Sequence, residues 1–587
     1  MSDNRSITIR IAGHAQDGIQ SLGTLLAKLA GRSGYHVMTY MTIPATIAGG
    51  NSIYQVRIGV DPVRVSGDEV DVLVAFHPDS LEAHLNVLRE GGTLMVDCDE
   101  IDVSSISGNF DLRPLPLTSL LEEGSEGKVG KGKNMVVLGM LCHLLGIERV
   151  QVEALALDKF GRKGEAVLAN VKRTLYAGFD YEWSGSVPEV GLTKPAEMAE
   201  HVTMDGNSAI AFGLIAAGVR YGAAYPITPA TSIMEVLREE LPKYKGIFLQ
   251  TEDEIAAACA AIGMSYAGHL AVTSTSGPGM SLKMEALGWA TMAEIPLIVV
   301  NVQRGGPSTG IPTQVEQSDL MQTLFGSHGD APRIVMAARD VEECFYICRE
   351  AVQLAREYST PVIILSDQGL ATRIEGFRMP NLDEVMLEPV LDTSERPEHW
   401  EPYPLDSITR HAPPGSVIGS GKYPTVTGLE HDPKGGPNAG AANHVAMSAK
   451  RRRKFQLLAQ HQPAPEIYGE DSGPLLLVSW GSSFGATRVA VDALLAQGQR
   501  VSHLHLKLLF PLSSAVGDML AAFEEVKTVE LNDQGVYGVG QFALYLRAVT
   551  GLSQIGSICK TDGLTFKVKE ILSQLVPTQK SSTPRSS

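Results

Sequence analysis

The chain has 587 residues, of which 44% are hydrophobic and 20% charged, and its formal net charge is −17. This length suits about three or four globular domains of roughly 150 residues each. So negative a charge disfavours nonspecific binding to nucleic acid or to an anionic membrane surface. The start, MSDNRSITIR, has no apolar signal core, and nothing later resembles a membrane span of about 20 apolar residues, so we expect a cytoplasmic location.

The first predicted unit, residues 1–185, alternates strand patterns with helical patterns. The strand patterns are RSITIRIA, SIYQVRIGV, VDVLVAF and TLMVD, and the helical ones are IQSLGTLLAKLAGRSG and DSLEAHLNVLREGG. Such alternation favours a mostly parallel sheet with helices on both faces. A linker rich in proline and polar residues, 186–206, is predicted to follow.

The turn Gly13-His-Ala-Gln-Asp-Gly18 joins the first strand pattern to the first helical pattern. A turn in this position can bind an anion at the helix N-terminus. It lacks the three-glycine spacing of a dinucleotide-binding turn, so it does not indicate a nicotinamide cofactor. A purely structural connection explains the turn equally well.

The second predicted unit, residues 207–375, has strand patterns near AAYPI, GIFLQ, HLAVTS, PLIVVNV, PRIVMA and PVIILSD. In the first of its loops, AYPITPAT (224–231), prolines stand on both sides of Thr228. Proline fixes the backbone dihedral φ and removes a donor, so we expect the backbone on both sides of Thr228 to be stiff. TSTSGPGMS (273–281) opens a helix after another strand, and its hydroxyls and glycines could line a ligand pocket.

Two charged residues of this unit are candidates for chemistry. Arg304 ends an apolar strand in NVQRGGPSTGIPTQ and suits a carboxylate ligand, although it could instead hold the loop in place. Glu254 begins the helix EIAAACAAIG and shares a small, buried face with Ala258 and Ala261. A partly desolvated carboxylate can exchange protons with a nitrogen base, although acids also favour helix N-termini for electrostatic reasons alone.

The rest of the chain comprises a connector, a third unit and a tail. Residues 376–471 are irregular and could be a functional loop or an arm that wraps a partner; their run KRRRKF (450–455) favours a solvated helix start or a subunit contact. Residues 472–575 form a third α/β unit, with PLLLVSWGS, GATRVAVDALLAQG, RVSHLHLKLLFPL and VKTVELND as its elements. The tail 576–587 is predicted to be disordered.

The six cysteines include no Cys-x-x-Cys pair and no ferredoxin-type run, so any iron–sulfur cluster would belong to another chain. Cys344 and Cys348 lie four residues apart in a helical pattern, which favours two buried thiols. We predict no metal-binding residue in this chain.

Four motifs together identify a family resemblance. AYPITPAT, TEDEIAAACAAIGMSYAG, TSTSGPGMSLKMEALGWA and VQRGGPSTGIPTQ, in this order, resemble the α subunit of 2-oxoacid:ferredoxin oxidoreductases. The N-terminal unit is similar to the γ domain of that family, fused here in front, and the third unit to its transketolase-C-terminal-like domain. The γ–α fusion and the QRGGPSTG loop most resemble the 2-oxoglutarate type, also called 2-oxoglutarate synthase.

The resemblance implies a multidomain α/β fold whose second unit is a thiamine diphosphate pyrimidine-binding domain. The family binds thiamine diphosphate between two chains. No Gly-Asp-Gly occurs here, so a β subunit is expected to supply the Mg²⁺ and diphosphate site and a four-iron cluster, in an (αβ)₂ assembly. The implied reaction, a TCA-cycle step, interconverts 2-oxoglutarate, CoA and oxidised ferredoxin with succinyl-CoA, CO₂ and reduced ferredoxin.

The resemblance also assigns individual residues, and with the stiff loop it implies that the Thr228 hydroxyl is held toward a buried reaction centre. It implies that residues of AYPITPAT and TSTSGPGMS, together with one glutamate, contact the cofactor. It also implies that two threonines and one arginine contact the substrate. The cofactor set is Tyr225, Pro226, Ile227, Thr228, Glu254, Ser276 and Gly277; the substrate set is Thr228, Arg304 and Thr313; and the catalytic set is Glu254, Thr228 and Arg304. Glu252 is the alternative to Glu254. The family's Gly-Gly-Gln-Gly turn is replaced by Ala15-Gln16-Asp17-Gly18, and the added aspartate disfavours phosphate binding there.

Three other functions remain open on the sequence. The same chemistry could act on pyruvate or another 2-oxoacid, because no cation for the distal carboxylate of 2-oxoglutarate can be identified. A non-oxidative, transketolase-like enzyme would need neither a cluster-bearing partner nor CoA. A noncatalytic scaffold would not require the threonine, the glutamate and the arginine together.

Overall fold

The computed structural model describes residues 5–42, 51–122, 132–183, 187, 192–193, 201–419 and 421–575. Within these residues the chain forms three β-sheets, of eight, seven and five strands, flanked by helices. The predicted tail 576–587 and most of the predicted linker lie outside the described residues. No helix among the described residues has both the length and the apolar composition of a membrane span.

The first sheet has the strand order β6-β5-β4-β1-β3-β2-β14-β7. Its strands are β1 Ser6–His14, β2 His36–Thr42, β3 Asn51–Gly59, β4 Val70–Ala75, β5 Leu88–Asp97, β6 Asp111–Leu115, β7 His201–Asp205 and β14 Ile374–Arg378. The helices of this unit are α1 Ile19–Arg32, α2 Pro78–His84, α3 Leu117–Glu122, α4 Lys133–Leu144, α5 Arg149–Phe160 and α6 Glu165–Phe179. The strands β6, β5, β4 and β1 pair in parallel, whereas the pairs from β1 to β7 are antiparallel.

Two strands of the first sheet come from parts of the chain predicted to lie elsewhere. β7 falls within the predicted linker 186–206, and β14 spans the predicted boundary at residue 375. β14 pairs with β2 and β7, and the Ile374 N–H donates to Thr39 Oγ1 at 2.8 Å. Later segments of the chain therefore complete the first sheet. The sequence analysis did not predict this, because a strand pattern does not show which sheet the strand will join.

The second sheet has the order β18-β12-β13-β11-β10-β8-β9. Its strands are β8 Tyr221–Ala224, β9 Ile247–Gln250, β10 Ala271–Thr275, β11 Leu297–Gln303, β12 Ile334–Ala337, β13 Pro361–Asp367 and β18 Leu508–Phe510. Only β18, at an edge, is antiparallel to its neighbour. Every residue of β11 and of β13 is buried, as expected for central strands covered on both faces.

Helices cover both faces of the second sheet. They are α7 Gly206–Ala216, α8 Thr231–Glu240, α9 Glu254–Tyr266, α10 Gly277–Met292, α11 Leu320–Phe325, α12 Val341–Tyr358, α13 Gln368–Thr372, α14 Leu382–Val385 and α15 Ala441–His461. Cys344 and Cys348 lie buried in α12, as predicted.

The third sheet has the order β15-β17-β16-β19-β20, with all pairs parallel except β15 with β17. The strands are β15 Ile467–Tyr468, β16 Gly473–Ser479, β17 Ser502–His505, β19 Phe523–Glu530 and β20 Gly556–Cys559. The helices are α16 Phe484–Ala496, α17 Val516–Ala521, α18 Gln541–Thr550 and α19 Val568–Leu575. The core between the second and third sheets is shared, which joins the two units.

The connector 376–471 is less irregular than the sequence indicated, because it ends in the 21-residue helix α15. The expectation that KRRRKF begins a solvated helix is wrong. The run lies in the middle of α15, and Lys450, Arg451 and Lys454 are buried. Acidic partners distant in sequence make this burial possible, as two lysines bind Glu294 and the arginine binds Glu430.

Candidate active site

The candidate residues of the second unit gather at the carboxyl ends of its parallel strands. The loop after β8 contains Thr228, the turn after β10 contains Ser276, and the loop after β11 begins with Arg304. The order of the sheet brings β8, β10 and β11 side by side. Loops at this edge of an open α/β sheet form the usual ligand crevice.

Glu254 is buried at the start of α9, with 7% of its surface exposed, whereas Glu252 is exposed. Asp253 caps the helix, accepting a hydrogen bond from the Ala256 N–H at 2.7 Å, so the cap is not Glu254. Ala258 and Ala261, on the same face as Glu254, are completely buried. The residues near this helix start thus divide into an exposed acid, a capping acid and a buried acid.

The Glu254 side chain lies directly over Gly279 of α10. A Cβ atom at position 279 would approach Glu254 Cγ to 2.7 Å and Oε1 to 2.8 Å, so a larger residue would displace the carboxylate. The carboxylate accepts no hydrogen bond from any residue that the structure describes. The carboxylate oxygens therefore keep their hydrogen-bonding capacity for a ligand donor.

Lys283 is a buried residue near Glu254 that the sequence analysis missed. Its Nζ donates to the Glu254 carbonyl at 3.0 Å and to Thr273 Oγ1 at 3.1 Å. Burial lowers the pKa of Lys283 to about 8, an effect that Glu254 opposes. The helical spacing of the sequence could have identified it, because Lys283 lies on the same buried face of α10 as Gly279, Met280, Ala286 and Leu287.

Arg304 is 7% exposed and holds the Thr228 loop through the backbone. Its Nη1 donates to the Thr228 carbonyl at 2.6 Å, and its Nε is buried with no hydrogen-bond partner. Burial lowers the pKa of Arg304, and Asp319 opposes this shift. The Arg304 side chain therefore has further hydrogen-bonding capacity beyond its contact with Thr228.

Asp319 is a second residue that the sequence analysis missed. Asn301 Nδ2 donates to its carboxylate at 2.9 Å, and the Asp319 N–H donates to Gln303 Oε1 at 3.1 Å. Burial raises the pKa of Asp319, while the Asn301 hydrogen bond opposes the shift. A Cβ at Gly277 would lie 3.0 Å from Asp319 Oδ1, so the start of α10 is close to this carboxylate.

A cleft of about 840 Å³ opens beside Arg304. It lies between the start of α10, the loop after β11 and the segment 533–541 of the third unit. Arg304, Gly277 and Asp319 line the cleft, and the exposed Tyr537 stands at its other side. Glu254 is not among the lining residues, since it lies against Gly279, two residues further along α10.

The AYPITPAT loop is more exposed than predicted. Tyr225 is 38% exposed, Pro226 and Ile227 are half-buried, and Thr228 is exposed in this chain. The expected burial of the Thr228 hydroxyl is therefore not found, and the carbonyl of Thr228 makes the contact with Arg304 instead. The loop borders solvent here because no other element of the described chain covers it.

Two further candidates are half-buried or buried at this edge. Ser276 precedes α10 and is fully buried, and its Oγ has no hydrogen-bond partner, so it can still bind a ligand. Thr313 is half-buried in the loop after β11.

In the first unit, Asp17 fills the Gly13–Gly18 turn with its own negative charge. Its Oδ2 accepts the His14 N–H at 2.6 Å and contacts His77 Nε2 at 2.9 Å. A carboxylate in this position occupies a backbone donor that a phosphate would use. This geometry agrees with the expectation that the aspartate disfavours phosphate binding in the turn.

Comparisons with protein families match most of the chain. A family described as "Pyruvate flavodoxin/ferredoxin oxidoreductase, thiamine diP-bdg" matches residues 212–451. A family described as "Pyruvate ferredoxin/flavodoxin oxidoreductase" matches residues 8–181. The first match includes every candidate residue of the second unit and the first half of α15.

Similar proteins cover almost the full length of the chain. The 2-oxoglutarate oxidoreductase subunit KorA of Mycobacterium tuberculosis is 36% identical, over 96% of this chain and 90% of its own. The 2-oxoacid:ferredoxin oxidoreductase 1 subunit alpha of Aeropyrum pernix is 29% identical, over 90% and 92%. The structure of 2-oxoglutarate:ferredoxin oxidoreductase from Magnetococcus marinus, with 2-oxoglutarate, coenzyme A and succinyl-CoA bound, is 34% identical with a TM-score of 0.88, covering 97% and 99%.

Proposed function

Because the chain belongs to the 2-oxoacid:ferredoxin oxidoreductase family, we propose that it is the α subunit, fused to a γ-type domain, of a 2-oxoglutarate:ferredoxin oxidoreductase. The enzyme converts 2-oxoglutarate, CoA and two oxidised ferredoxins into succinyl-CoA, CO₂, a proton and two reduced ferredoxins. The substrate assignment is supported by a nearly full-length relative named for 2-oxoglutarate and by the similar structure that contains it.

The observation on which the residue assignments depend is the buried Glu254 carboxylate. It lies over Gly279 and accepts no hydrogen bond from the described residues. Thiamine diphosphate supplies, when bound, an electron sink for decarboxylation of the 2-oxoacid. Glu254 would hold a proton between its carboxylate and a ring nitrogen of the aminopyrimidine, an interaction that satisfies both groups in a dry environment.

Arg304 and the two threonines are proposed to orient the substrate. The guanidinium is partly buried and lines the cleft, so it can bind the carboxylate next to the 2-oxo carbon with little competition from water. Its bond to the Thr228 carbonyl couples the position of the Thr228 loop to that of the guanidinium. Thr228 and Thr313 would add hydroxyl contacts, and orientation of this kind can contribute orders of magnitude in rate.

A second subunit is proposed to complete this site. The chain has no Gly-Asp-Gly segment for Mg²⁺ and diphosphate and no cysteine run for a cluster. Large apolar residues are exposed on β9, α9 and α10, the elements around Glu254, namely Ile247, Leu249, Ile255, Leu282 and Trp289. We therefore infer a β subunit that covers this surface and passes electrons to ferredoxin, in an (αβ)₂ assembly.

Pyruvate remains the alternative substrate. Arg304 is the only arginine or lysine among the described residues that line the cleft, and one guanidinium cannot pair with both carboxylates of 2-oxoglutarate. The second cation would have to come from the β subunit. Anaerobic assays with each 2-oxoacid on the same αβ preparation therefore decide the substrate.

The proposed function is tested by reduction of a viologen dye with 2-oxoglutarate and CoA under anaerobic conditions. We expect activity only when the chain is co-purified with its β subunit. Glu254→Gln should lower kcat at least about a hundredfold, since proton exchange is lost. Glu252→Gln, at the exposed neighbouring acid, is the matched control and should retain wild-type activity.

The outcomes separate the alternatives. Near-normal turnover in Glu254→Gln would refute its role, and a selective loss in Glu252→Gln would transfer the role to that residue. Higher kcat/KM for pyruvate would change the substrate but not the chemistry. Activity of the chain without a partner would contradict the division of the site between two subunits.

A further inference from the structure

We propose that His14, Asp17 and His77 form a binding site for one divalent transition-metal ion of the Zn²⁺ class. These residues belong to the first unit, and no step of the proposed reaction uses them. The sequence analysis predicted no metal-binding residue, because the two histidines lie 63 positions apart and match no ligand motif. Their proximity follows from how the strands pair.

The register of β1 and β4 places the two histidines side by side. These strands are parallel neighbours, and Ala12 pairs with Ala75. His14 and His77 each follow the paired alanine by two residues, so both leave the sheet at the same carboxyl edge. Their rings are stacked with centroids 4.1 Å apart and planes inclined by 12°.

Two carboxylates contact the imidazole nitrogens at this edge. His77 Nε2 lies 2.9 Å from Asp17 Oδ2, and His14 Nε2 lies 3.0 Å from Asp79 Oδ2. One potential ligand atom from each of His14, Asp17 and His77 lies within 4.8 Å of the other two. In a tetrahedral Zn²⁺ site, with bonds of about 2.0–2.1 Å, neighbouring ligand atoms are roughly 3.4 Å apart. Because an imidazole binds a metal in its ring plane and the two rings are stacked, at least one ring must turn out of the stack for both to bind the same ion.

The charge of the cluster favours a cation. The carboxylates of Asp17 and Asp79 lie against the two imidazoles. The N-termini of α1 and α2 oppose a cation, each with roughly half a positive charge. Asp17 and Asp79 more than offset these partial charges, and Asp17 also occupies the backbone donor that an anion would require.

The donor set is that of a catalytic-type or exchangeable zinc site. Two imidazoles and one carboxylate leave a fourth position for water or for Asp79. The side chains of His14, His77 and Asp17 are 28%, 22% and 20% exposed, so an ion can reach them from solvent. Binding would require each imidazole to exchange its carboxylate contact for the metal through a neutral, unprotonated nitrogen.

The test uses the full chain, stripped with EDTA and dialysed, and does not depend on enzymatic activity. Titration calorimetry with ZnCl₂ at pH 7.5 should give one site with a dissociation constant in the micromolar range or below. Co²⁺ should give visible absorption bands of a four- or five-coordinate site. His14→Ala and His77→Ala should each weaken binding at least a hundredfold.

His328→Ala is the matched control, because His328 and Glu285 form a histidine–carboxylate pair at 3.1 Å whose side chains are 84% and 76% exposed. This variant should bind Zn²⁺ like the wild type. Asp17→Asn, which keeps the shape of the turn, tests the site if a histidine variant unfolds. The proposal is overturned if no saturable binding occurs below 1 mM, if either histidine variant binds normally, or if His328→Ala loses the ion.

Discussion

Lys283 places an ammonium group in the interior directly below the candidate catalytic glutamate. It is completely buried, and it bonds to the backbone carbonyl of Glu254, at the first residue of α9. Because it does not line the cleft, it is a positioning residue that fixes the helix start from which the carboxylate projects. The free energy of burying this ammonium is recovered only in part through the Glu254 carbonyl and the Thr273 hydroxyl.

We expect Lys283→Met to lower kcat about tenfold or more, with little change in KM for the 2-oxoacid, since small displacements of a catalytic group are costly. Lys283→Arg should restore part of the activity. The pKa of about 8 predicts a loss of wild-type activity above pH 8, and the arginine variant should move this alkaline limb upward. A pH profile of kcat measures both effects, and an unchanged alkaline limb in Lys283→Arg would contradict the role.

The lowered pKa of Lys283 also makes the free energy of unfolding depend on pH. The folded-state pKa of Lys283 is lower than the unfolded value of 10.5, so between about pH 8 and 10.5 the unfolded chain binds the extra proton. The contribution of Lys283 to the free energy of unfolding therefore rises with pH in that window. Below pH 8 both states are protonated and the cost of burying the ammonium is fully present.

At the scale of one element, α15 buries basic side chains whose acidic partners lie outside the helix. Lys450 and Lys454 both bind Glu294, and Lys454 Nζ also donates to the Tyr358 carbonyl at 2.7 Å. Burial works against the charge of Glu294, but the two lysines lower its pKa overall. The helix thus attaches the connector to the ends of α10 and α12 through a buried ionic cluster.

Glu294→Gln should lower the free energy of unfolding by about 3–5 kcal/mol, because it leaves two buried ammonium groups without a counter-charge. The combined replacement Glu294→Leu, Lys450→Met and Lys454→Met should recover most of this loss, since apolar residues of similar volume need no pairing. Denaturant titrations of both variants measure the difference. Equal stability of Glu294→Gln and the wild type would show that the cluster does not stabilise α15.

At the scale of the whole molecule, the surface beside Glu254 lies at the edge of the second sheet. β9 is the last strand of that sheet, and its Ile247 and Leu249 are 59% and 45% exposed. Ile255 of α9, which is 51% exposed, extends this apolar surface next to the candidate catalytic residue. An exposed apolar edge of this kind is typical of an interface with another chain.

Ile255→Arg should prevent co-purification of the β subunit and abolish activity with little change in the melting temperature of the isolated chain, because the residue is 51% exposed. Val150→Arg is the control, since Val150 is 66% exposed on the first unit, away from this surface. Size-exclusion chromatography of the co-expressed subunits shows whether each variant still forms the complex. An intact complex with Ile255→Arg would show that the β subunit binds at a different surface.

The sequence alone determined the local elements of the second and third units and identified the candidate catalytic and binding residues. Buried parallel strands produce continuous apolar runs such as PLIVVNV, and turns at their ends gather Gly, Pro, Thr and Arg, so these patterns can be read locally. The order of four motifs was enough for the family. Glu254 and Arg304 were both found this way, and their roles remain predictions.

Only the tertiary structure decided how distant segments combine. β7 and β14 extend the first sheet, Lys283 lies under Glu254, and α15 buries its basic run against Glu294, because each partner is far away in sequence. The exposure of Thr228 likewise depends on which elements cover its loop. Pairing and burial are properties of surfaces brought together by folding, whereas periodicity and turn chemistry are properties of neighbours along the chain.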